Sequence, residues 1–264
     1  MGILNVTPDS FYDGGRHATV VAAVAHGRAL LAEGADLLDV GGESTRPGAE
    51  PISADEECRR VVPVVTALRA ETDVPLSVDT TKAAVAAAAL AAGADVVNDV
   101  SAGRDDPAML SLVATEGAAI VLMHRQGTPA TMQAAPTYGD VVAEVTAFLA
   151  ERLAAARAAG IDGARVLVDP GLGFGKRLEH NLALLAHLDR LVALGVPVLV
   201  GASRKSFLGM VTGAAVEARL VPSVAAAVLA AVAGARAVRV HDVAATRQAL
   251  AVADAVAHAR APAA

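Results

Sequence analysis

Residues 76–99, LSVDTTKAAVAAAALAAGADVVND, contain the unit that recurs along this chain. Apolar residues near Leu76–Val78 and Val96–Asn98 predict two short strands, and the Ala-rich segment Lys82–Ala92 between them predicts a helix. Gly93 suits the end of that helix, where a positive φ is favoured. Parallel strands need such a crossover helix, so the stretch predicts a strand, a covering helix and a second strand parallel to the first.

The same alternation extends over the whole sequence. Further strands are predicted near Gly2–Val6, Leu37–Val40, Ala119–Met123, Val166–Val168, Val198–Val200 and Val238–Val240. Helical patterns follow them, including Val20–Glu33, Asp55–Ala70, Val141–Ala159, His180–Leu194 and Ala245–His258. Short strands that are apolar on both faces are typical of parallel strands covered by helices.

Eight consecutive strand–helix units favour an α/β protein with one closed (β/α)8 barrel, a TIM barrel. The predicted single domain covers residues 1–260, and the Ala/Pro-rich residues 261–264 are expected to form a disordered tail. An open, doubly wound sheet is the alternative that the same alternation allows.

Composition narrows the class of protein. The chain has 264 residues with 54% hydrophobic and 19% charged residues, which suits one large core and argues against disorder. The formal net charge of -6 argues against nucleic acid as a partner, because a phosphate backbone needs a basic face. The longest stretch without a charged residue or His, Leu220–Ala235, is too short to span a bilayer, so no membrane is expected. The single cysteine, Cys58, excludes an intramolecular disulfide and favours the cytoplasm.

Polar residues follow the predicted strands at the end where a barrel carries its catalytic residues. These positions include Asn5, Gly41–Gly48, Asp79, Asn98, Met123–His124, Asp169–Lys176, Gly201–Lys205 and Arg239–Asp242. Any one of them can equally be a helix N-cap or a turn residue. Polar residues at eight strand ends of one barrel predict a functional site at its mouth.

The charges at these positions suggest a ligand. Basic residues form one predicted cluster, which indicates an anionic, phosphorylated substrate: Arg46, Arg204, Lys205, Arg239 and His241. Acceptors or mixed donor–acceptors, Asp79, Asn98 and Asp169, suit an amino-substituted heterocycle whose N–H groups need fixed partners. Most of the few aromatic residues also fall in or beside loops after strands, where they contact a planar ligand or pack the loops: Phe11, Tyr12, Tyr138, Phe174 and Phe207.

These segments, in their order and spacing, resemble the signature set of dihydropteroate synthases. The resemblance is carried by Asn5–Phe11, Gly41–Gly48, Val78–Thr80, Val97–Val100, Asp169–Lys176, Ser203–Lys205 and Arg239–Val243. It covers nearly the whole chain and implies a pterin-binding barrel. The implied reaction joins a pterin diphosphate to p-aminobenzoate with Mg²⁺ as cofactor, and the implied assembly is a homodimer.

The resemblance also implies a role for individual residues. Asp79, Asn98, Asp169 and Lys205 would hold the pterin ring, with Met123, Phe174 and Gly201 lining its slot. Asn5, Arg46, Arg239 and His241 would bind the diphosphate, and Asn5 would also contact the metal. Thr45, Pro47, Phe174 and Ser206 would border p-aminobenzoate. The residues implied to be catalytic are Asp79, Asp169, Lys205, Arg239 and His241, and the loops Thr7–His17 and Glu43–Ser53 would close over them.

Two other functions fit parts of the pattern. A pterin-binding methyltransferase of the related barrel superfamily would share the acidic slot but should lack Arg46, Ser203–Lys205 and Arg239–His241, which this chain has. A non-catalytic paralogue would be expected to have lost Asn5, Asp79 or Lys205, and all three are present.

Overall fold

The computed structural model describes residues 1–6, 15–45, 48–128 and 131–260, and for residues 15–19 and 260 it describes the backbone alone. The predicted tail at residues 261–264 lies outside the described residues. So do Asp9, Phe11 and Tyr12 of the first predicted loop.

Eight parallel strands alternate with helices in the described chain. The strands are β1 (Gly2–Asn5), β2 (Leu38–Gly41), β3 (Leu76–Asp79), β4 (Val96–Asp99), β5 (Ala119–Met123), β6 (Val166–Asp169), β7 (Leu199–Val200) and β8 (Ala237–Val238). The first six form one continuous sheet in chain order, and β7 and β8 form a two-stranded sheet of their own.

Two single bridges close these sheets into a barrel. Val168 of β6 pairs in parallel with Val198, and Gly2 of β1 pairs in parallel with Val240. The Ile3 amide donates to the Val240 carbonyl at 3.0 Å across the second bridge. The predicted (β/α)8 barrel is therefore confirmed, and the open sheet is excluded because the chain after β8 returns to β1.

Ten α-helices surround the strands in the described residues. They are α1 (Gly15–Ala32), α2 (Ala54–Arg69), α3 (Ala83–Ala91), α4 (Met109–Glu116), α5 (Val141–Ala158), α6 (Leu178–Ala186), α7 (Asp189–Val192), α8 (Ser206–Thr212), α9 (Leu220–Val232) and α10 (Val243–Arg260). Among the described residues, no helix is both long and apolar enough to cross a bilayer.

Local sequence explains several helix ends. Ser53 caps α2 by accepting from the Glu56 amide at 3.2 Å, and Asp140 caps α5 by accepting from the Val142 and Ala143 amides at 3.0 Å. The single helix predicted over His180–Leu194 is wrong, because His187 leaves helical geometry with φ −118° and ψ 36° and separates α6 from α7.

Strand alternation divides the apolar residues into an outer and an inner core. One face of each strand packs against helices, through residues such as Leu4, Val40 and Val78. The other face points into the barrel, whose lower part is filled by Val96, Val121 and Leu199 with Met1, Leu37, Ala119, Leu167 and Ala237 around them. Above this apolar cluster, the inward positions are occupied by the polar residues at the strand ends. The same alternation that builds the core therefore directs those residues into the mouth.

Candidate active site

Strand register aligns three of the predicted site residues, with Gly41 between two of them, in one layer of the barrel. Asn5 pairs with Gly41, Gly41 with Asp79, and Asp79 with Asn98. Gly41 carries no side chain between its neighbours: a Cβ there would lie 3.7 Å from Asn5 Oδ1 and 3.5 Å from Asp79 Cβ. The glycine therefore leaves open space beside the Asn5 amide and the Asp79 carboxylate.

Arg239 joins this layer to the opposite wall of the barrel. Its Nη2 donates to Asp79 Oδ2 at 2.9 Å, and its Nε donates to Asp39 Oδ2 at 2.6 Å. Asp39 Oδ2 also accepts from Asn98 Nδ2 at 3.0 Å. Burial, the largest influence, would lower the pKa of Arg239, but Asp39 and Asp79 outweigh it and raise that pKa. The guanidinium thus stays charged inside the barrel.

Two acceptor atoms of this network are buried without a hydrogen-bond partner among the described residues: Asp39 Oδ1 and Asp79 Oδ1. A buried acceptor without a donor costs about 1–3 kcal/mol. Burial raises the pKa of Asp79 to about 7, although Arg239 opposes that change. Both atoms are therefore ready to accept from N–H donors of a bound molecule.

Asp169 and Lys205 supply the other side of the slot. Asp169 Oδ1 accepts from the Gly171 amide at 2.7 Å, and burial raises the pKa of Asp169 even though Lys205 opposes it. Lys205 Nζ donates to the Leu172 carbonyl and lies 4.7 Å from the centre of the Phe174 ring. Burial lowers the pKa of Lys205 to about 8.

Gly201 lies between two of these cations. A Cβ at this position would lie 3.7 Å from Arg239 Cβ and 3.8 Å from Lys205 Nζ. Met123, 3% exposed, pairs in register with Asp169 on the neighbouring strand. The structure therefore brings Asp79, Asn98, Asp169, Lys205 and Arg239 together around one slot, with Met123, Phe174 and Gly201 on its wall.

A buried lysine fixes the loop that carries Phe174. Lys176 Nζ lies 2.9 Å from His124 Nδ1 and donates to the carbonyls of Phe174 at 3.1 Å and His124 at 3.3 Å. Burial lowers the pKa of Lys176 well below its usual value, and burial with the Lys176 charge lowers the pKa of His124 to about 3. The imidazole is thus neutral, and its Nδ1 pairs with the Lys176 Nζ.

Glycines let this loop approach the end of β5. A Cβ at Gly171 would lie 1.9 Å from the His124 carbonyl oxygen, and a Cβ at Gly175 would lie 2.4 Å from the Gln126 carbonyl oxygen. Both glycines also have positive φ, +66° and +62°. No other residue type fits either position without displacing backbone.

His241 is held beside the slot by Ser203. Its Nδ1 lies 3.0 Å from Ser203 Oγ, and its backbone amide donates to the same oxygen at 3.2 Å. Two of the basic residues predicted to cluster at the mouth form ion pairs with carboxylates. Arg204 turns outward into a bidentate pair with Asp242, at 2.6 and 3.0 Å, and the charge of Arg239 is already balanced by carboxylates.

The aromatic residues divide between the two predicted roles. Phe174 lies at the slot beside Lys205. Phe207 is instead 2% exposed within α8, and Tyr138 stacks edge-on with His180 while its hydroxyl donates to the Gly175 carbonyl at 2.8 Å. Phe207 and Tyr138 therefore pack the protein, which is the second of the two roles left open for them.

The remaining predicted residues are only partly described. Thr45 is half-buried in the loop after β2, and Ser206 is exposed at the start of α8. Arg46 and Pro47 lie outside the described residues, as does most of the first loop. No group of three His, Cys, Asp or Glu side chains with metal-site geometry occurs among the residues that are described.

Sequence reasoning missed Asp39. It is fully buried, yet it contacts both Asn98 and Arg239. The signal that could have found it was its inward register on β2, two residues before Gly41, since a carboxylate inside an apolar strand needs a partner.

Comparison with known proteins identifies relatives of this arrangement. Residues 1–241 match the family described as "Pterin binding enzyme". The dihydropteroate synthase of Escherichia coli K12 is 47% identical over 255 residues, which cover 97% of this chain and 90% of that protein. A Xanthomonas albilineans dihydropteroate synthase with 4-aminobenzoic acid superposes with a TM-score of 0.93 at 57% identity over 99% of this chain and 93% of its own. The enzyme of the same bacterium in complex with 7,8-dihydropteroate superposes with a TM-score of 0.88 at 54% identity. This match covers 99% of the present chain and 94% of the Xanthomonas chain.

Proposed function

This chain belongs to the dihydropteroate synthases, pterin-binding transferases of folate biosynthesis, and we propose which part of the reaction each residue at the barrel mouth serves. The substrates are 6-hydroxymethyl-7,8-dihydropterin diphosphate and p-aminobenzoate, and the products are 7,8-dihydropteroate and pyrophosphate. The alternative of a pterin-binding methyltransferase has less support, because a methyl transfer releases no diphosphate and would not require the Arg239–His241 pair.

The pterin ring binds in the slot between Asp79, Asn98, Asp169 and Lys205. The unpartnered Asp39 Oδ1 and Asp79 Oδ1 support this assignment, since each needs a donor and a pterin offers ring N–H and amino groups. Lys205 is the matching donor for a ring acceptor, and Met123, Phe174 and Gly201 give the flat walls that a bicyclic ring needs.

The diphosphate binds beside Arg239 and His241, with Arg46 from the second loop. Arg239 has donors left after its bonds to Asp39 and Asp79, because a guanidinium carries five N–H groups. Ser203 fixes the orientation of His241, which suits a residue that must aim at a leaving group.

Asn5 is the proposed protein ligand of Mg²⁺. Its amide borders the gap at Gly41, and Mg²⁺ generally keeps few protein ligands when it binds phosphate oxygens. A magnesium ion bound there with the diphosphate would neutralise part of the leaving-group charge. The neutral Asn5 amide beside Asp79 fits such a contact.

p-Aminobenzoate binds toward Thr45, Pro47, Phe174 and Ser206. Phe174 is the member of this set whose ring reaches the slot, next to Lys205. Ser206 is exposed at the first turn of α8, where its hydroxyl and neighbouring backbone amides can meet a carboxylate. The arylamine would then approach the pterin methylene group from the solvent side.

Electrostatics supply the catalysis. The C–O bond to diphosphate breaks, and its electron pair leaves on the diphosphate oxygen beside Arg239 and His241. The ring, now cationic, lies against Asp79 and Asp169, whose ionised forms stabilise positive charge. The arylamine nitrogen then forms the new C–N bond and releases a proton. The loops 7–17 and 43–53 would exclude water from this step.

The contact between Arg239 and Asp79 carries the assignment, because it joins the anion site to the ring site in one network. The test is to mix purified protein with pterin diphosphate, p-aminobenzoate and Mg²⁺ and to measure pyrophosphate release. Release that depends on both substrates is expected. Release without p-aminobenzoate, or none at all, would contradict the proposal.

We further propose that the enzyme works in the cytoplasm as a homodimer through α8–α10. Large apolar side chains on and beside these helices are exposed in one chain, including Met210 at 66%, Val221 at 74%, Leu229 at 64%, Val232 at 66% and Val252 at 65%. A monomeric protein rarely exposes so many large apolar side chains in one region of its surface. Sedimentation equilibrium should give twice the chain mass, and Val221→Glu should shift it toward the monomer.

A further inference from the structure

A partly buried ion cluster lies outside the slot, at the start of the second loop. Lys82 Nζ, at the start of α3, donates to Glu43 Oε2 and to Glu57 Oε2, the latter at 2.5 Å. Glu57 belongs to α2, whereas Glu43 belongs to the loop that leaves β2. These three residues, Glu43, Glu57 and Lys82, form what we call the Lys82 bridge.

The bridge is sheltered from solvent. The Glu57 side chain is fully buried, and those of Lys82 and Glu43 are only 26% and 22% exposed. Burial raises the pKa of Glu57, whereas hydrogen bonds from Lys82 and Thr80 oppose that change. Buried ion pairs are often no more stabilising than apolar residues of the same volume, but they fix geometry. The bridge is thus better suited to setting a loop position than to adding stability.

Two further contacts hold the same stretch of backbone. Arg60 Nη1 of α2 donates to the Gly42 carbonyl at 3.0 Å. Gly42 is pressed so closely on α2 that a Cβ would lie 2.7 Å from Val61 Cγ2 and 3.1 Å from Glu57 Cγ. Gly42 and Glu43 are therefore held against α2 and α3 at the start of the loop.

The bridge lies close along the chain to one proposed site residue, since Glu43 precedes Thr45 by two positions. Between Glu43 and Thr45 only Ser44 intervenes, so a shift of Glu43 carries over to Thr45. A change in the bridge should therefore alter mainly the affinity for the ligand that Thr45 borders.

We propose that Lys82 is a positioning residue that joins Glu43 to Glu57 and thereby sets the affinity of the enzyme for p-aminobenzoate. The inference rests on the proposed function, because Thr45 borders the arylamine only in that assignment. Lys82 takes no part in the bond changes and acts through the start of the loop.

The test compares the Michaelis constants of the two substrates in four proteins: wild type, Lys82→Met, Lys82→Arg and Glu43→Gln. Steady-state pyrophosphate release should show KM for p-aminobenzoate raised about tenfold in Lys82→Met and Glu43→Gln. KM for the pterin diphosphate should change by less than about twofold, and Lys82→Arg should recover most of the loss. A general loss of structure would instead alter both constants.

Glu43→Gln keeps the experiment decisive if Lys82→Met fails to fold, because it preserves the pair between Lys82 and the buried Glu57. Arg28→Gln is the matched control, since it removes an exposed ion pair with Glu71, just beyond α2, and should leave both constants unchanged. An unchanged p-aminobenzoate KM in Glu43→Gln, or equal changes for both substrates, would overturn the proposal. Wild-type protein that releases no pyrophosphate would instead refute the proposed function.

Discussion

Arg239 and Asp79, 160 positions apart in the chain, form an ion pair of 2.9 Å inside the barrel. One of them belongs to the proposed anion site and the other to the proposed ring site. A change of charge in either site therefore alters the electrostatic environment of the other through this one hydrogen bond. Negative charge that develops on the bound diphosphate as the C–O bond breaks would attract Arg239 and leave Asp79 freer to stabilise the cation that forms on the ring.

Replacing Asp79 with Asn should reduce pyrophosphate release by roughly 100-fold or more, because the amide lacks the negative charge that the cationic ring needs. The thermal midpoint at pH 8 should be unchanged or higher. Burial raises the pKa of Asp79 to about 7 in the folded protein. Above that pH the ionised Asp79 therefore lowers the free energy of unfolding, and replacing it with a neutral amide removes this cost. Initial rates and differential scanning calorimetry measure the two effects.

The control is Asp36→Asn, which makes the same chemical change in an exposed pair with Arg247 and should alter neither quantity. If Asp79→Asn lowers the midpoint strongly while Asp36→Asn does not, Asp79 is a structural residue and its assignment is wrong.

Replacing Arg239 with Ala should abolish calorimetric binding of pyrophosphate and destabilise the protein. The change leaves Asp39 buried without its cation, which costs about 3 kcal/mol or more. Adding Asp39→Asn should restore part of the thermal midpoint without restoring pyrophosphate binding. Arg204→Ala, in the outward pair with Asp242, is the control and should bind pyrophosphate normally. Normal binding by Arg239→Ala would remove that residue from the anion site.

Acidification should destabilise the protein through His124. Its pKa falls from 6.5 in the unfolded chain to about 3 in the folded one, so the unfolded chain binds the extra proton between these values. The stabilising contribution is complete above pH 6.5 and is lost as the pH falls toward 3. One pH unit in this range corresponds to about 1.4 kcal/mol.

Urea unfolding at pH 7.5 and pH 5.5 checks this expectation in wild type and in His124→Gln, which keeps an acceptor for Lys176. As the pH is lowered from 7.5 to 5.5, the free energy of unfolding should decrease more in wild type than in the variant. Parallel slopes would mean that His124 titrates normally in the folded protein.

Replacing Gly175 with Ala should lower the thermal midpoint severely and reduce activity, because the new Cβ would lie 2.4 Å from the Gln126 carbonyl oxygen. Gly195 offers a matched control. It has a similar positive φ of +77°, but a Cβ there would have no neighbouring atom within 4 Å, so Gly195→Ala should cost only about 1–2 kcal/mol of backbone strain. Equal midpoints for the two variants would show that the loop after β6 can move away from β5.

Much of the site follows from sequence because strand alternation and barrel topology are local rules. Asp79, Asn98 and Asp169 lie at or next to the ends of apolar strands, at inward positions, and strand register pairs Asp79 with Asn98 and Asp169 with Met123. The pair between Arg239 and Asp39 spans 200 positions and closes across the barrel, so no local pattern contains it.

Packing explains the other differences. Phe207 follows a strand and a basic motif as a site aromatic would, but α8 turns it into the core. The break at His187 interrupts a segment whose composition remains helical throughout. Both outcomes depend on which neighbours the chain meets after folding, and tertiary contacts routinely override local preference.

The division of the barrel into a six-stranded and a two-stranded sheet separates its functional groups by segment. The carboxylates and amides of the slot, Asn5, Asp39, Asp79, Asn98 and Asp169, all lie on the larger sheet, whereas Lys205, Arg239 and His241 follow the two short strands. A chimaera that exchanges the segment from Val196 to Arg260 between relatives would thus replace the cations while keeping the ring acceptors. Recombination at that point would vary the anion site and Lys205 together while holding the carboxylate and amide partners of the heterocycle constant.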